Sequence, residues 1–207
     1  MQGILSAAGY VPYRRLDRGT IAETFGSGGG RGTRAVAGYD EDTTTMGVEA
    51  ARLALRGAPG AHPRALAFST TTPAYLDKTN ATGIHAALRL DTDVLAADFG
   101  GAIRSGVAAL TAALHGPDPT LVVTADVRDG LPTSTDEAAG GDGAAAILVG
   151  SDADGPVLAT LVGEGHTTEE FIDRWRVPGD HRSKIQGTLP QPACFLSRAS
   201  GIQGVRP

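Results

Sequence analysis

The sequence predicts a mixed α/β domain, and three observations carry that expectation. Apolar runs of strand length alternate with segments of helical period, at residues 65–69 then 80–88, and at 94–97 then 103–114. Gly100 and Gly101 join the last two by a sharp turn. Two further apolar runs, 144–150 and 157–162, flank Asp154-Gly155, a tight-turn signal that predicts a closing antiparallel hairpin. Strands alternating with helices, closed by a hairpin, make a mixed α/β architecture.

In chain order, residues 3–10 read as a first strand, stopped at Pro12, whose ring removes a ladder donor. Asp17 is placed to cap a short helix through Ile21, Ala22 and Phe25. The glycine-rich stretch 26–32 superficially matches a phosphate-cradling loop, but no strand precedes it and no helix opens from it, so it reads as a surface loop. Asp40, Glu41 and Asp42 open a second helix that ends near Gly57, and at that place carboxylates are caps rather than a metal site. Its expected inner stripe is Met46, Ala50, Leu53 and Ala54. A polar loop over 70–78 leads from the next strand into an amphipathic helix at 80–88. Residues 94–97 have the composition of a buried strand.

The helix behind that strand places Ile103, Val107, Leu110 and Leu114 on one face, with mostly Ala and Gly on the other. A helix apolar nearly all round needs cover on every side. Its start, where backbone N–H groups are free and the dipole favours negative charge, suits a nucleophile, yet Ile103 occupies it. Residues 120–126 form another strand, 132–140 a polar loop and 169–176 a short helix. Residues 187–207, broken by Pro190 and Pro192, read as an irregular tail, giving a domain over 1–176 and an extension over 177–207.

Composition narrows the function classes. The 207 residues, 41% hydrophobic with a net charge of −5, form no basic stripe, which excludes a general nucleic-acid or anionic-membrane binder. The single Cys194 excludes an internal disulfide framework and a multi-cysteine metal site. Met1-Gln2-Gly3 lacks the basic start of a signal peptide, and no apolar run reaches membrane-spanning length, so the expected location is the cytoplasm.

Four strings resemble the thiolase superfamily, above all its 3-hydroxy-3-methylglutaryl-CoA synthase branch, with ketoacyl-carrier-protein synthase III as a cousin. They lie at residues 3–12, at 34–52 around the second helix, at 98–110, and at 141–146. The likeness runs to about residue 176 and corresponds to the first of the two similar halves of such enzymes. It implies a five-layer αβαβα fold when completed by a second half, usually dimeric. It also implies an acyl group carried on a cysteine at the buried helix's start, a glutamate base after the third strand and a histidine from the second half. This chain departs from that pattern. Ile103 fills the cysteine slot, the glutamate slot falls among the hydroxyls of residues 69–72, and the only cysteine, Cys194, follows two prolines in the tail.

Two function classes follow. The first is an enzyme acting on coenzyme A thioesters in Claisen- or aldol-type chemistry without an acyl-cysteine, because an aldol step needs a base, an acid and oxyanion donors. Its candidate groups are Tyr75, Asp77, Asp98, Arg104 and His166, with Arg31 and Arg34 for the CoA phosphates and no metal or redox cofactor. Each has a structural alternative: Asp98 as a cap, Arg104 as its ion-pair partner, Tyr75 as a packing residue. The second class is a non-catalytic subunit that keeps the fold for assembly. One sheet cannot cover the apolar helix on both sides, which calls for a homodimer or a hetero-oligomer with a second thiolase-like half or a zinc-ribbon/OB-fold subunit.

Overall fold

The computed structural model describes residues 2–170, 172, 174–180 and 182–185. The expectations for Cys194 and for the tail from residue 187 lie outside these residues. Six strands form the main sheet: β1 (Gly3–Tyr10), β4 (Ala65–Thr70), β5 (Leu95–Gly100), β6 (Thr120–Asp126), β7 (Gly143–Gly150) and β8 (Ala159–Thr160). Their order is β5-β4-β6-β7-β1-β8, with β5, β4 and β6 parallel and the remaining pairs antiparallel. Two small ribbons stand apart: β2 (Arg15–Asp17) with β3 (Thr33–Ala35), and β9 (Arg174–Trp175) with β10 (Lys184–Ile185). The helices are α1 (Arg18–Phe25), α2 (Thr43–Gly57), α3 (Ala81–Leu88), α4 (Ser105–His115) and α5 (Thr135–Ala139).

Period-two alternation in the central strands makes two cores. Leu66 and Phe68 of β4, with Leu121 and Val123 of β6, face α2 and α3 and are buried with Ile84 and Leu148. Ala67 and Val122, one residue out of phase, face α4 with Ala109 and Ala113. Each large side chain fully removed from water stabilises the fold by roughly 1.5–3 kcal/mol, so the α2 side, with Phe68 and the five aliphatics Leu66, Ile84, Leu121, Val123 and Leu148, dominates. On the α4 side the fully buried helix residues are the small Ala109 and Ala113. A Cβ on Gly106 would lie 3.1 Å from Thr124 Cγ2, so glycine lets this helix rest directly on the sheet.

Local signals explain the element starts. Asp17 accepts a hydrogen bond from Gly19 N, and Gly26 ends α1 in the left-handed conformation. Asp42 and Thr45 form a reciprocal capping box on α2. No helix among the described residues is long and apolar enough to cross a membrane.

Several expectations are corrected. Strand β8 pairs with β1, not with β7, because β7 is already flanked by β6 and β1; the turn at Asp154 is present, but the chain passes β7 to reach the far edge. Strand β5 is an edge strand with Leu95 67% exposed, so its apolar composition does not report burial on both sides. It also runs to Gly100, and α4 begins at Ser105, so Ile103 sits in the turn ahead of the helix. Helix α4 buries Ala109 and Ala113 against the sheet with Leu110 and Leu114 packed beside them, whereas Ile103 and Val107 of the expected stripe are exposed, because Gly106 and the alanines permit the closer approach. Leu53 of α2 is likewise partly exposed, while Ala51 is buried in its place. The polar loop after Pro132 contains α5, capped by Ser134. The helix expected over 169–176 is absent among its described residues, and Arg174–Trp175 is extended and paired with β10, so that ribbon crosses the division placed at 176.

A buried ion pair fixes the loops at one end of the sheet. Asp142 accepts from Ala37 N at 2.8 Å and Arg128 N at 2.7 Å, and Arg34 Nη2 stands 3.6 Å from it. Arg34 Nη1 and Nη2 also donate to the carbonyls of Glu137 and Arg128 at 2.9 and 2.6 Å. Removing one member of a buried pair strands the other. Asp142→Ala is therefore expected to destabilise the fold by about 3–5 kcal/mol, measured by denaturant unfolding. A surface pair such as Arg64–Asp93 is the control, with a loss below about 1 kcal/mol.

Candidate functional site

Parallel strands that end together leave a crevice beyond their carboxyl ends. Here the ends of β4 and β6, the turn before α4 and the start of β7 enclose a cleft of about 350 Å³. Ser69, Thr70 and Thr71 line it from β4, Thr124 and Asp126 from β6, and Ile103 and Gly106 from the turn and helix, with Tyr10 and Val11 at the end of β1. Asp126 is the only carboxylate in this lining.

Asp126 laces the two loops together. Its Oδ1 accepts from Thr71 N at 2.7 Å, Thr71 Oγ1 at 2.9 Å and Thr70 Oγ1 at 3.2 Å. Its Oδ2 lies 3.3 Å from Arg128 Nη2. Val127 N donates to Thr72 Oγ1 at 3.1 Å, adding a further tie across the same gap. A carboxylate with these partners is held in one orientation, its side chain a quarter exposed toward the cleft.

The turn before α4 has its own support. Gly101 adopts φ +100°, which favours glycine. Ser105 Oγ donates to Gly100 O at 2.9 Å and accepts from Ala102 N at 3.3 Å. Ile103 projects beside this turn and is 57% exposed, with no group capable of attack.

Tyr10 donates its hydroxyl proton to Glu41, whose other oxygen accepts from Gly38 N at 2.6 Å. The hydrogen bond to Glu41 is the main reason that the phenol is pushed up to about 12, with burial and the Glu41 charge adding to it.

The structure disperses most of the residues expected to act. Asp98 is a positioning group: Oδ1 accepts from Ala81 N and Oδ2 from Asn80 N, each at 2.7 Å, so it caps α3. Tyr75 and Asp77 are exposed on the loop before α3, where Lys78 Nζ stands 5.1 Å from the Tyr75 ring. Arg104 directly precedes α4 beside Ile103 but does not line the cleft. His166 pairs with Glu164, which also pairs with His115 in the last turn of α4. It therefore lies near the far end of that helix, roughly 16 Å of helix from the turn. Arg31 is exposed on the glycine-rich loop, whereas Arg34 is interior, its terminal nitrogens engaged as described above. Of the expected groups, only the Ile103 slot and the hydroxyl stretch meet at the cleft. Asp126, Arg128 and Tyr10 emerge from the fold. A charged residue closing an otherwise apolar strand was the available signal for Asp126.

No family model matches the chain. It is 34% identical over 187 residues to the hydroxymethylglutaryl-CoA synthase of Pyrococcus furiosus, covering 86% of this chain and 53% of that protein. The synthase of the same description from Thermococcus sibiricus is 32% identical over 213 residues, covering 98% and 60%. A solved HMG-CoA synthase complexed with CoA aligns with a TM-score of 0.76 at 20% identity, over 90% of this chain and 50% of that one. A 3-oxoacyl-(acyl-carrier-protein) synthase III aligns with a TM-score of 0.61 at 26% identity, over 72% and 49%. The chain thus spans about half the length of these relatives.

The Tyr10–Glu41 bond makes a pH prediction. The folded chain keeps the phenol proton that the unfolded chain gives up near 10.0, so this contribution to stability is whole below pH 10 and lost as pH rises to about 12. An absorbance titration of the four tyrosines should show one ionising late, and Glu41→Gln should return it toward the others. Four coincident ionisations in the native chain would contradict the bond.

Proposed function

Starting from a chain that is hydroxymethylglutaryl-CoA synthase-like and thiolase-type in fold, we propose that it is one half of a site that binds an acyl-CoA thioester without forming an acyl-enzyme. The reaction class is carbon–carbon bond formation or cleavage of the Claisen or aldol type. The observation that carries this reading is the cleft itself. It is open at the strand ends and polar on the side of Asp126, Thr70 and Thr71. At the helix start, the place of the nucleophile in the resemblance, it is closed by the inert Ile103.

Within that cleft Asp126 is the base. Its fixed carboxylate is the one group in the lining that takes a proton from a carbon or hydroxyl next to a carbonyl. The Ser69 hydroxyl, which also lines the cleft, supplies a donor for the thioester oxygen, the protons of Thr70 and Thr71 being given to Asp126. Coenzyme A is the substrate's carrier; of the two arginines expected for its phosphates, Arg31 is exposed and Arg34 is interior.

A second reading, a non-catalytic partner subunit, is favoured by the open face. Val107 is 63% exposed beside Ile103, and the six-residue edge of β5 pairs only with β4. Exposed edges of that length are ordinarily protected. Both readings share this feature, and each requires a second half, a second copy or another subunit on that face.

Ile103→Cys separates them. If the slot is functional, this variant gains the mass of an acetyl group on incubation with acetyl-CoA, while the native chain binds the thioester saturably and gains none. Asp126→Asn should then lower turnover by about 10²–10⁴-fold with binding retained. A native chain that binds no thioester, with a cysteine variant that stays unacylated, leaves the scaffold reading.

A further inference from the structure

The ribbon of β9 and β10 is fastened to the loops that frame the cleft by three arginines. Arg174 holds Asp136 of α5 with two parallel bonds, at 2.5 and 2.6 Å. That geometry is the strong form of the ion pair, and it keeps the Asp136 carboxyl below the ordinary carboxylate range. Arg182 Nε lies 3.5 Å from Asp129 in the loop after β6. Between them, Arg176 Nη2 donates to the backbone carbonyl of Thr71, the residue whose N and Oγ1 both bond to Asp126.

Arg176 is thereby carried to the cleft from 50 residues beyond Asp126, and its side chain is exposed there. A guanidinium has five N–H donors in a planar fork, and the bond to Thr71 uses one. Asp126, the carboxylate at this corner, is already matched by Arg128. Among the described residues the ribbon's other arginines have carboxylate partners, whereas the contact found for Arg176 is a neutral carbonyl. Among the described residues, the contacts at Thr71 and Asp126 bring two guanidiniums, Arg128 and Arg176, to one carboxylate, a surplus of positive charge at the mouth of a cleft. The bond to Thr71 fixes the fork's position, and the Arg174 clamp fixes the strand that ends just before Arg176, so binding an anion there requires little further ordering.

We propose that Arg176 is a ligand-binding residue that receives an anionic group of the thioester ligand at the mouth of the cleft. This rests on the thioester reading above. Two parts of such a ligand have that chemistry: a phosphate of the carrier and a carboxylate at the acyl end.

Trp175, the only tryptophan in the chain, adjoins Arg176 and reports binding by its fluorescence. Acetyl-CoA, succinyl-CoA and acetyl-pantetheine are titrated into the native chain, Arg176→Gln and Asp136→Asn. The glutamine variant should weaken at least one charged ligand by about ten- to a hundredfold, as expected for a charge-assisted hydrogen bond, and leave acetyl-pantetheine unchanged. Loss for both CoA thioesters assigns the anion to the carrier phosphates, and loss for succinyl-CoA alone assigns it to the acyl carboxylate. Asp136→Asn should weaken the same ligand, because it frees the strand. Equal binding of all three ligands to the native and glutamine chains overturns the assignment. If no thioester binds the native chain, the thioester reading fails, and pyrophosphate then tests Arg176 by itself. A saturable response that Arg176→Gln abolishes upholds an anion site; no response in the native chain overturns it.

Discussion

One carboxylate holds the business end of the sheet together. Asp126 ends β6 and takes three hydrogen bonds from Thr70 and Thr71 at the end of β4, so the ends of two parallel strands are tied together where they line the cleft. The lacing continues outward on both sides. Arg128 joins Asp126 at its side chain and Asp142 at its backbone, and Asp142 in turn faces Arg34, which grips the carbonyl of Glu137 in α5. On the other side, Thr71 offers its carbonyl to Arg176. A connected polar network of this kind is rigid when every member is satisfied and costly when one is removed.

The second constraint is steric. Alanine and glycine on α4 bring its backbone against β4 and β6, which leaves the larger apolar groups Ile103 and Val107 pointing away from the sheet. This packing explains how a helix can be apolar all round and still be half covered in one chain. Its inner face approaches the sheet through alanine and glycine, and its outer face is apolar and exposed at Ile103 and Val107. The β5 edge lies on the same flank of the sheet as α4, so the unpartnered strand and the unpartnered helix adjoin one surface.

The alternation of apolar runs and helical periods made the main elements legible: β1, β4, β6 and α2 fall where the sequence places them, since they depend on local pattern and capping residues such as Asp17 and Asp42. Pairing was not legible. The turn at Asp154 is real, yet β8 reaches β1, because a local turn signal says nothing about which edge of a sheet is free. On α4 the stripe is legible at Leu110 and Leu114 and not at Ile103 and Val107, because alanine and glycine set the line of closest approach to the sheet. At the site, the string around Ile103 and the hydroxyls of residues 69–72 were visible as a resemblance. Asp98 fills the capping role that was its structural alternative, at the start of α3, and Arg34 donates to the carbonyls of Arg128 and Glu137. Asp126 and Arg176 come into play only through contacts across 55 and 105 residues of chain, which no spacing rule detects.

The most direct test of the account is amide hydrogen exchange of the native chain with and without a saturating acyl-CoA. Ligand in the cleft should slow exchange at residues 69–71, 102–106 and 124–126 together, because these segments line the same cleft. Unchanged exchange in all three, or protection confined to the exposed loop of Tyr75 and Asp77, would contradict the placement of the site.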